Sequence, residues 1–330
     1  MNNVQQRVTV VMPVYNDWES FFRLVPQLDA AFADVDVPIS IVAVDDGSEA
    51  SNYLEFAHRL QLSRIGEITA LHLVCNVGHQ RAIAIGLADV ARRRECDLVL
   101  VMDSDGEDRP EDARVLVEAA LGEREAAFFV GQRRKRSESV AFKVSYQLYK
   151  RVFRLLTGKT IDFGNFSAAT IDGITKLVYS PHCWNHFAAA VLRSGIPIRR
   201  IRTDRGDRLG GRSSMNFTAL ILLGLSAMSV YSEIVLVRVL VAALGCSLVA
   251  FVAFVGVVLI RIFSNLAIPG WTSTVGGLLI LLLFQALAVS AGTAFQILGD
   301  RSRPLVVPAI DANQFILGRE GLYAAPRVAV

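Results

Sequence analysis

Apolar and polar positions follow two different regimes along this chain. Up to about residue 215, short apolar runs of strand length alternate with longer segments of helical period. Val8–Met12, Ile39–Val44, Ile68–Val74 and Leu98–Met102 read as buried strands, and Ala126–Val130 as a further one. Helices are expected over 19–33, 51–62 and 80–93; the first gathers Phe21, Phe22, Val25, Leu28 and Phe32 on one face. Residues 138–157, with Phe142, Tyr146, Tyr149, Val152 and Phe153, predict an amphipathic helix that either lies near a bilayer or covers the sheet. A β-α-β-α order implies an α/β fold, with a mostly parallel sheet covered on both faces. Such sheets bind ligands beyond the carboxyl ends of their strands. Tyr15, Asp45, Asp46, Asn76, Asp103 and Asp105 all fall at that edge.

The second regime begins near residue 216. Val239–Ile260 contains no charged residue and is long enough to cross a bilayer as a helix. Arg261 closes it. After a turn marked by Asn265, Pro269, Gly270 and Trp271, a second span is expected over Ser273–Leu298. Residues 216–235, broken by serines and Glu233, predict an amphipathic helix at the membrane surface. Arg199, Arg200, Arg202, Arg205, Arg208 and Arg212 precede the spans, Arg301 and Arg303 follow them, and only Arg261 lies between. The positive-inside rule therefore puts both flanks in the cytoplasm. The expected division is a catalytic domain over 1–215, a juxtamembrane helix over 216–235, two spans within 236–300 and a tail over 301–330.

Composition agrees with an integral-membrane chain. It is 52% hydrophobic and 20% charged, and its mean hydropathy is +0.41, more apolar than a soluble domain. A net charge of +3 gives no argument for nucleic acid. Cys75, Cys96, Cys183 and Cys246 form no CxxC pair, which suits a reducing compartment and excludes a zinc ribbon. The polar start, Met1–Arg7, predicts no secretory signal.

Asp103-Ser104-Asp105, with Glu107 and Asp108 close behind, ends an apolar strand. Clustered carboxylates suit a shared hard cation, Mg²⁺ or Mn²⁺, that also holds phosphate oxygens. The same residues suit a solvated turn before a helix that starts at Pro110. Asp45-Asp46-Gly47-Ser48 ends another strand, where a carboxylate accepts from base N–H or ribose hydroxyls, or closes an Asx turn. No GxGxxG follows the first strand, which counts against a dinucleotide oxidoreductase. His182 and His186 have helical i, i+4 spacing, but Pro181 and Trp184 point to packing rather than zinc.

Val10-Val-Met-Pro-Val-Tyr-Asn16, Val44-Asp-Asp-Gly-Ser48, Asn76-Val-Gly-His79, Val101-Met-Asp-Ser-Asp105, Gly131-Gln-Arg133, Asp162-Phe-Gly-Asn-Phe166 and Gly211-Arg-Ser-Ser214 occur in that order. Together with the two spans, they resemble the inverting family 2 glycosyltransferases of the polyprenyl-phosphate branch, bacterial members included. The resemblance implies a GT-A fold, a UDP- or GDP-sugar donor, a polyprenyl (undecaprenyl) phosphate acceptor and a homo-oligomer, often a tetramer. It also implies a bacterial inner membrane location with both termini cytoplasmic. By position, Pro13, Tyr15, Asp17, Asp45, Asp46 and Asn76 would hold the nucleotide. Asp103, Asp105 and Glu107 would bind the metal, and Asp103, Asp105 and Asp162 would be catalytic. Arg133, Arg136, Arg212 and Ser213 would hold the acceptor phosphate.

Two departures stand out. Relatives usually carry Asp-Phe-Arg where this chain has Asn165-Phe166-Ser167, and a Lys where it has Ser214. A glycosyltransferase with another acceptor and a catalytically inactive membrane scaffold are the alternatives. No QxxRW motif of processive synthases is present.

Overall fold

The structure, a computed structural model, describes residues 6–49, 53–133, 140–210, 217–263, 270–301 and 304–325. Arg136, Arg212 and Ser213 lie outside the described residues. Two compact units divide the chain. Met1–Leu148, Thr160–Val230 and Leu305–Val330 form the first; Tyr149–Lys159 and Tyr231–Pro304 form the second.

In chain order the elements are β1 (Val8–Val14), α1 (Trp18–Ala31), β2 (Ile39–Asp45), α2 (Tyr53–Ala57), β3 (Ile65–Leu73), α3 (His79–Arg93), β4 (Leu98–Val101), α4 (Pro110–Ala120), β5 (Phe128–Arg133) and α5 (Val140–Thr157). They continue with β6 (Ser167–Thr170), α6 (Ile171–Val178), a 3-10 turn at Pro181–Trp184, α7 (Phe187–Ser194), β7 (Ile198–Thr203), α8 (Phe217–Ser229), α9 (Ser232–Phe263), α10 (Trp271–Arg301), α11 (Pro308–Asp311), a second 3-10 turn at Ala312–Phe315 and β8 (Ile316–Ala324).

The first unit is built on an eight-stranded sheet of order β7-β5-β6-β4-β1-β2-β3-β8. The central strands β4, β1, β2 and β3 are parallel neighbours. The β6 strand runs antiparallel between β4 and β5. Alternation along β1 explains the layers. Val8, Val10, Met12 and Val14 face a core shared with α1 and α4. Val11 faces the opposite core, with α3, α6 and α7. All seven β1 residues are buried, as a strand covered on both faces requires.

The helix expected over 51–62 is cut to one turn and a half at α2. Leu60 and Leu62 instead pack on the first core. Asp29 of α1 then takes the N–H groups of Ser63, Arg64 and Ile65 at 2.8–2.9 Å, drawing that segment into β3.

The C-terminal residues behave differently from a tail. β8 runs antiparallel along β3, from Glu67 paired with Ala324 to Leu73 paired with Ile316. Leu322 is buried in the first core and Ala312 in the second. An exposed parallel edge is thereby covered.

In the second unit, α9 and α10 are long and apolar enough to cross a membrane, with mean hydropathies of 2.7 and 2.2. They contain the spans expected from sequence. The segment 216–235 is not one amphipathic helix: α8 carries no charged residue and stops at Ser229, and α9 starts at Ser232. The Val230 carbonyl accepts from Arg193 in the first unit. Tyr231, fully buried, packs edge-on against Phe153 in the second.

Candidate active site

The sheet's strand order reverses beside β1, where the chain crosses from β3 to β4. Loops leaving the carboxyl ends of β1, β2 and β4 meet there, the usual place for a ligand crevice in an open α/β sheet. Hydrogen bonds tie these loops together. The Asn16 N–H donates to Ser48 Oγ at 2.9 Å, and Asn16 Oδ1 accepts from the Glu49 N–H. Asn16 holds a left-handed conformation (φ 51°), which an asparagine tolerates. Ser104 Oγ donates to the Pro13 carbonyl at 2.9 Å, joining the ends of β1 and β4. Pro13 is itself buried inside β1, whereas Tyr15 just beyond it is 53% exposed.

At the end of β2 the two aspartates have distinct roles. Asp46, 3% exposed, accepts from the N–H groups of Val77 and Gly78 at 2.7 and 3.0 Å. Both of its oxygens thus brace the loop after β3, leaving the exposed Asn76 at the tip. Gly47 makes the closeness possible. Its φ is +70°, and a Cβ there would lie 2.7 Å from the Asn76 nitrogen. Asp45 accepts from the Ser48 N–H with Oδ1 and pairs through Oδ2 with His72 Nδ1 at 2.8 Å. His72 Nε2 lies 3.2 Å from Glu320 Oε2 of β8, and the Tyr53 hydroxyl donates to the same oxygen at 2.8 Å. Burial raises Asp45, but the bonds from His72 and Ser48 outweigh it and hold its carboxyl below the usual range. The Asp45 bond, against burial and with help from Glu320, raises His72 above the ordinary imidazole value.

The loop after β4 concentrates acid. Asp103, Asp105, Glu107 and Asp108 lie there, and Asp17 faces them from the β1 loop. Arginines interleave with them. Arg208 donates to Asp105 Oδ2 at 3.0 Å and to Asp17 Oδ2 at 3.2 Å. Arg205 pairs with Glu107. Arg133 donates to Asp108 Oδ1 at 2.7 Å and stands 3.7 Å from Glu107. The backbone of 206–209 lies along the loop: the Gly206 and Leu209 N–H groups donate to the Glu107 and Asp105 carbonyls at 2.9 Å.

These contacts divide the carboxylates. Burial raises Asp108, and the Asp103 carboxylate adds to it against Arg133, reaching about 7. Burial and the charges of Asp103 and Glu107 also raise Asp105, in spite of the Glu107 N–H it accepts. Burial acts on Asp103 too, but His79, Arg133 and Arg208 outweigh it and hold Asp103 low. His79 Nε2 stands 3.2 Å from Asp103 Oδ1 and 3.0 Å from Asn165 Nδ2. Gln80 donates to Asn165 Oδ1 at 3.1 Å, so Asn165 is held at the start of α3, beside the His79 that reaches Asp103. Asp162 Oδ2 accepts from Gln132 Nε2 and Arg200 Nε, each at 2.9 Å.

The structure therefore brings Asp17, Asp103, Asp105, Glu107 and Arg133 together at one edge, with Asp45 and Asp46 bracing the adjoining loops. Among the described residues, no three His, Cys, Asp or Glu side chains converge as a ready metal set. Glu107 is turned to Arg205 and Arg133 instead of joining Asp103 and Asp105. Sequence reading did not assign Arg208, His72 or Glu320 to the site, and it offered Asp108 only as one of the clustered carboxylates, not as the buried partner of Arg133. Each acts through a partner far off in the chain or buried beneath the loop. His186 is the acceptor cap of α7, taking the Ala189 N–H on Nδ1, so the His182/His186 pair is not one helical metal face.

A mostly parallel α/β sheet with carboxylates at its switch point defines a class of ligand-binding α/β proteins. The chain belongs to a family within it: residues 9–185 match "Glycosyl transferase family 2". A Bacillus subtilis relative, "Uncharacterized glycosyltransferase YkoT", is 28% identical over 64% of each chain. The undecaprenyl-phosphate 4-deoxy-4-formamido-L-arabinose transferase of Yersinia pestis is 26% identical over 89% of this chain and 86% of its own. The chain covers less than two thirds of the first relatives it matches, 64% and 62%. The UDP complex of Mycobacterium tuberculosis glucosyl-3-phosphoglycerate synthase superposes with a TM-score of 0.48, at 13% identity over 70% of this chain and 80% of that one.

Proposed function

We propose that this protein transfers a sugar from a UDP- or GDP-sugar to polyprenyl phosphate, with undecaprenyl phosphate as the acceptor and inversion at the anomeric carbon. The observation that carries this reading is the Asp103–Asp105 pair at the switch point of a family 2 sheet, in a chain with two helices of membrane-crossing length. Relatives named as undecaprenyl-phosphate sugar transferases support the acceptor.

The residues fit a divalent metal. Asp103 Oδ1 is buried with only the His79 ring nitrogen, at 3.2 Å, beside it, and Asp105 lies two residues on. Two hard carboxylates suffice for Mg²⁺ or Mn²⁺ when substrate phosphates complete the shell. When bound, the ion would neutralise charge on the leaving diphosphate. Asp45 and the loop around Tyr15 would receive the nucleoside. Arg208 and Arg205, held beside the carboxylates, are placed to exchange those partners for phosphate oxygens, for which a guanidinium fork is suited.

The acceptor, a phosphate monoester with second pKa about 6, is already largely dianionic at neutral pH. It needs orientation more than deprotonation. Asp162, with Oδ1 buried and without a partner, is the carboxylate available on the acceptor side. The enzyme acts at the bacterial inner membrane from the cytoplasmic face, as a homo-oligomer.

Transfer assays test this reading. Purified protein in detergent receives Mn²⁺, undecaprenyl phosphate and, separately, UDP-glucose, UDP-galactose, UDP-N-acetylglucosamine or GDP-mannose. The expected result is lipid-linked sugar from one donor, lost in Asp105→Ala. Metal-dependent nucleotide binding without transfer would redirect attention to another acceptor or sugar, and no nucleotide binding would sink the transferase reading.

A further inference from the structure

We propose that His72, anchored by Glu320 of the C-terminal strand, is a positioning residue for the nucleoside-side carboxylate Asp45. The proposal rests on the reading of Asp45 as a nucleoside ligand.

Four elements meet at His72. Asp45 on β2 takes Nδ1 at 2.8 Å, and Glu320 on β8 takes Nε2 at 3.2 Å. Tyr53 on α2 donates to Glu320 at 2.8 Å and fixes it in turn. The Tyr53 ring is itself stacked on Trp18 at 4.7 Å. A histidine between two carboxylates donates to both only as imidazolium. Asp45 is therefore held from two sides, by the Ser48 N–H on one oxygen and a charged donor on the other. Each oxygen keeps a lone pair for a base N–H or a ribose hydroxyl.

A charged hydrogen bond fixes orientation more firmly than a neutral one. Glu320 lies outside residues 9–185, the part matched to the family. The nucleoside end of the site thus depends on a strand from the far end of the chain. The ionisable groups facing His72 are Asp45, Glu320 and the Tyr53 hydroxyl. Tyr53 is pushed to about 12 by burial and Glu320, so it stays protonated over the working range.

The full-length protein in detergent, with Mn²⁺, is titrated calorimetrically with UDP and, separately, GDP from pH 6 to 9. Asp45→Ala tests the parent reading; His72→Phe, His72→Asn and Glu320→Gln test the proposal. Asp45→Ala and His72→Phe are expected to weaken binding about tenfold, the worth of one hydrogen bond to a charged group. His72→Asn, whose amide lies where Nδ1 does, recovers most of that loss. Wild-type affinity falls as pH rises through the raised imidazolium pKa, and His72→Phe lacks this alkaline limb. Glu320→Gln keeps the limb but moves it to lower pH, a shift that a purely structural role would not produce. With the donor identified by transfer assay, its KM rises in His72→Phe while kcat holds.

Wild-type-like binding and pH dependence in His72→Phe and Glu320→Gln, beside weak binding by Asp45→Ala, overturns the proposal and leaves the parent reading standing. Undiminished binding by Asp45→Ala overturns both. Thermal melts report folding, and if His72→Phe does not fold, the pH limb of Glu320→Gln decides.

Discussion

His186 shows how one atom couples a helix start to pH. Its Nδ1 accepts the Ala189 N–H and so caps α7. An accepting nitrogen cannot carry a proton, and burial of the ring pushes its pKa down to about 4. The unfolded chain binds the proton near pH 6.5. Between these values the unfolded state holds more protons, so stability falls as pH drops from about 6.5 towards 4, by at most about 3 kcal/mol. Thermal melts of the detergent-solubilised protein at pH 7.5 and 5 should show this loss. His186→Asn keeps an acceptor cap without a titrating ring, and its melting temperature should depend less on pH. Equal pH slopes would exclude His186 as the source. The sequence shows the two histidines but not this role, because 3-10 geometry at Pro181–Trp184 breaks the helical spacing. Arg208 was illegible for a different reason. Its partner Asp105 is 103 residues away, and only the folded backbone of 206–209 brings them together.

The elements most legible in sequence are those whose burial is symmetrical. β1, β2 and β4 are nearly continuous apolar runs, interrupted only by the mutually bonded Thr9 and Ser40, because helices cover both faces, and acidic residues mark their ends. β8 was illegible: Gly318, Arg319, Glu320 and Gly321 hide any alternation, and its pairing is supplied by the edge of β3. How closely α3 packs was equally hidden. Gly86 sits where a Cβ would lie 2.5 Å from Val44 Cγ2 and 2.9 Å from Val11 Cγ1. Gly86→Ala should gain helix propensity yet lose more by pushing α3 off β1 and β2, a net cost of about 1–3 kcal/mol. A lower melting temperature checks it; an unchanged or higher one would mean that the valines yield freely. The junction of α1 with β3 is a second such point. Asp29 accepts three backbone N–H groups and the Ser63 hydroxyl. Although burial raises its pKa, these bonds prevail and hold it low. Its contribution is therefore present above the ordinary carboxylate pKa and is lost as pH falls through the lowered one. Asp29→Ala would strand those donors at a cost of about 3 kcal/mol, visible as a lower melting temperature at pH 7 and a smaller deficit in strong acid.

At the scale of the whole molecule, the open point is which side of a membrane would carry the proposed nucleotide site. Arginines flank the two long helices at their outer ends, and Arg261 alone falls between the spans expected from sequence. By the positive-inside rule this asymmetry predicts a cytoplasmic first unit. The thiols offer a direct readout. Cys75 is exposed on the loop after β3, beside Asn76. Cys96 and Cys183 are buried, and burial raises both, Cys183 to about 12, so neither presents a reactive thiolate. Cys246 is exposed on α9 and is removed by Cys246→Ser. In that variant a membrane-impermeant maleimide should label Cys75 in inverted membrane vesicles and spare it in intact spheroplasts. UDP or GDP with Mn²⁺ should slow the labelling, because Asp46 ties the loop at Val77 and Gly78 to the end of β2, where the nucleoside is proposed to bind. Labelling in spheroplasts would reverse the orientation and with it the cytoplasmic assignment of the transfer reaction. Labelling from the expected side with no protection by either nucleotide would keep the orientation and count against nucleotide binding beside this loop.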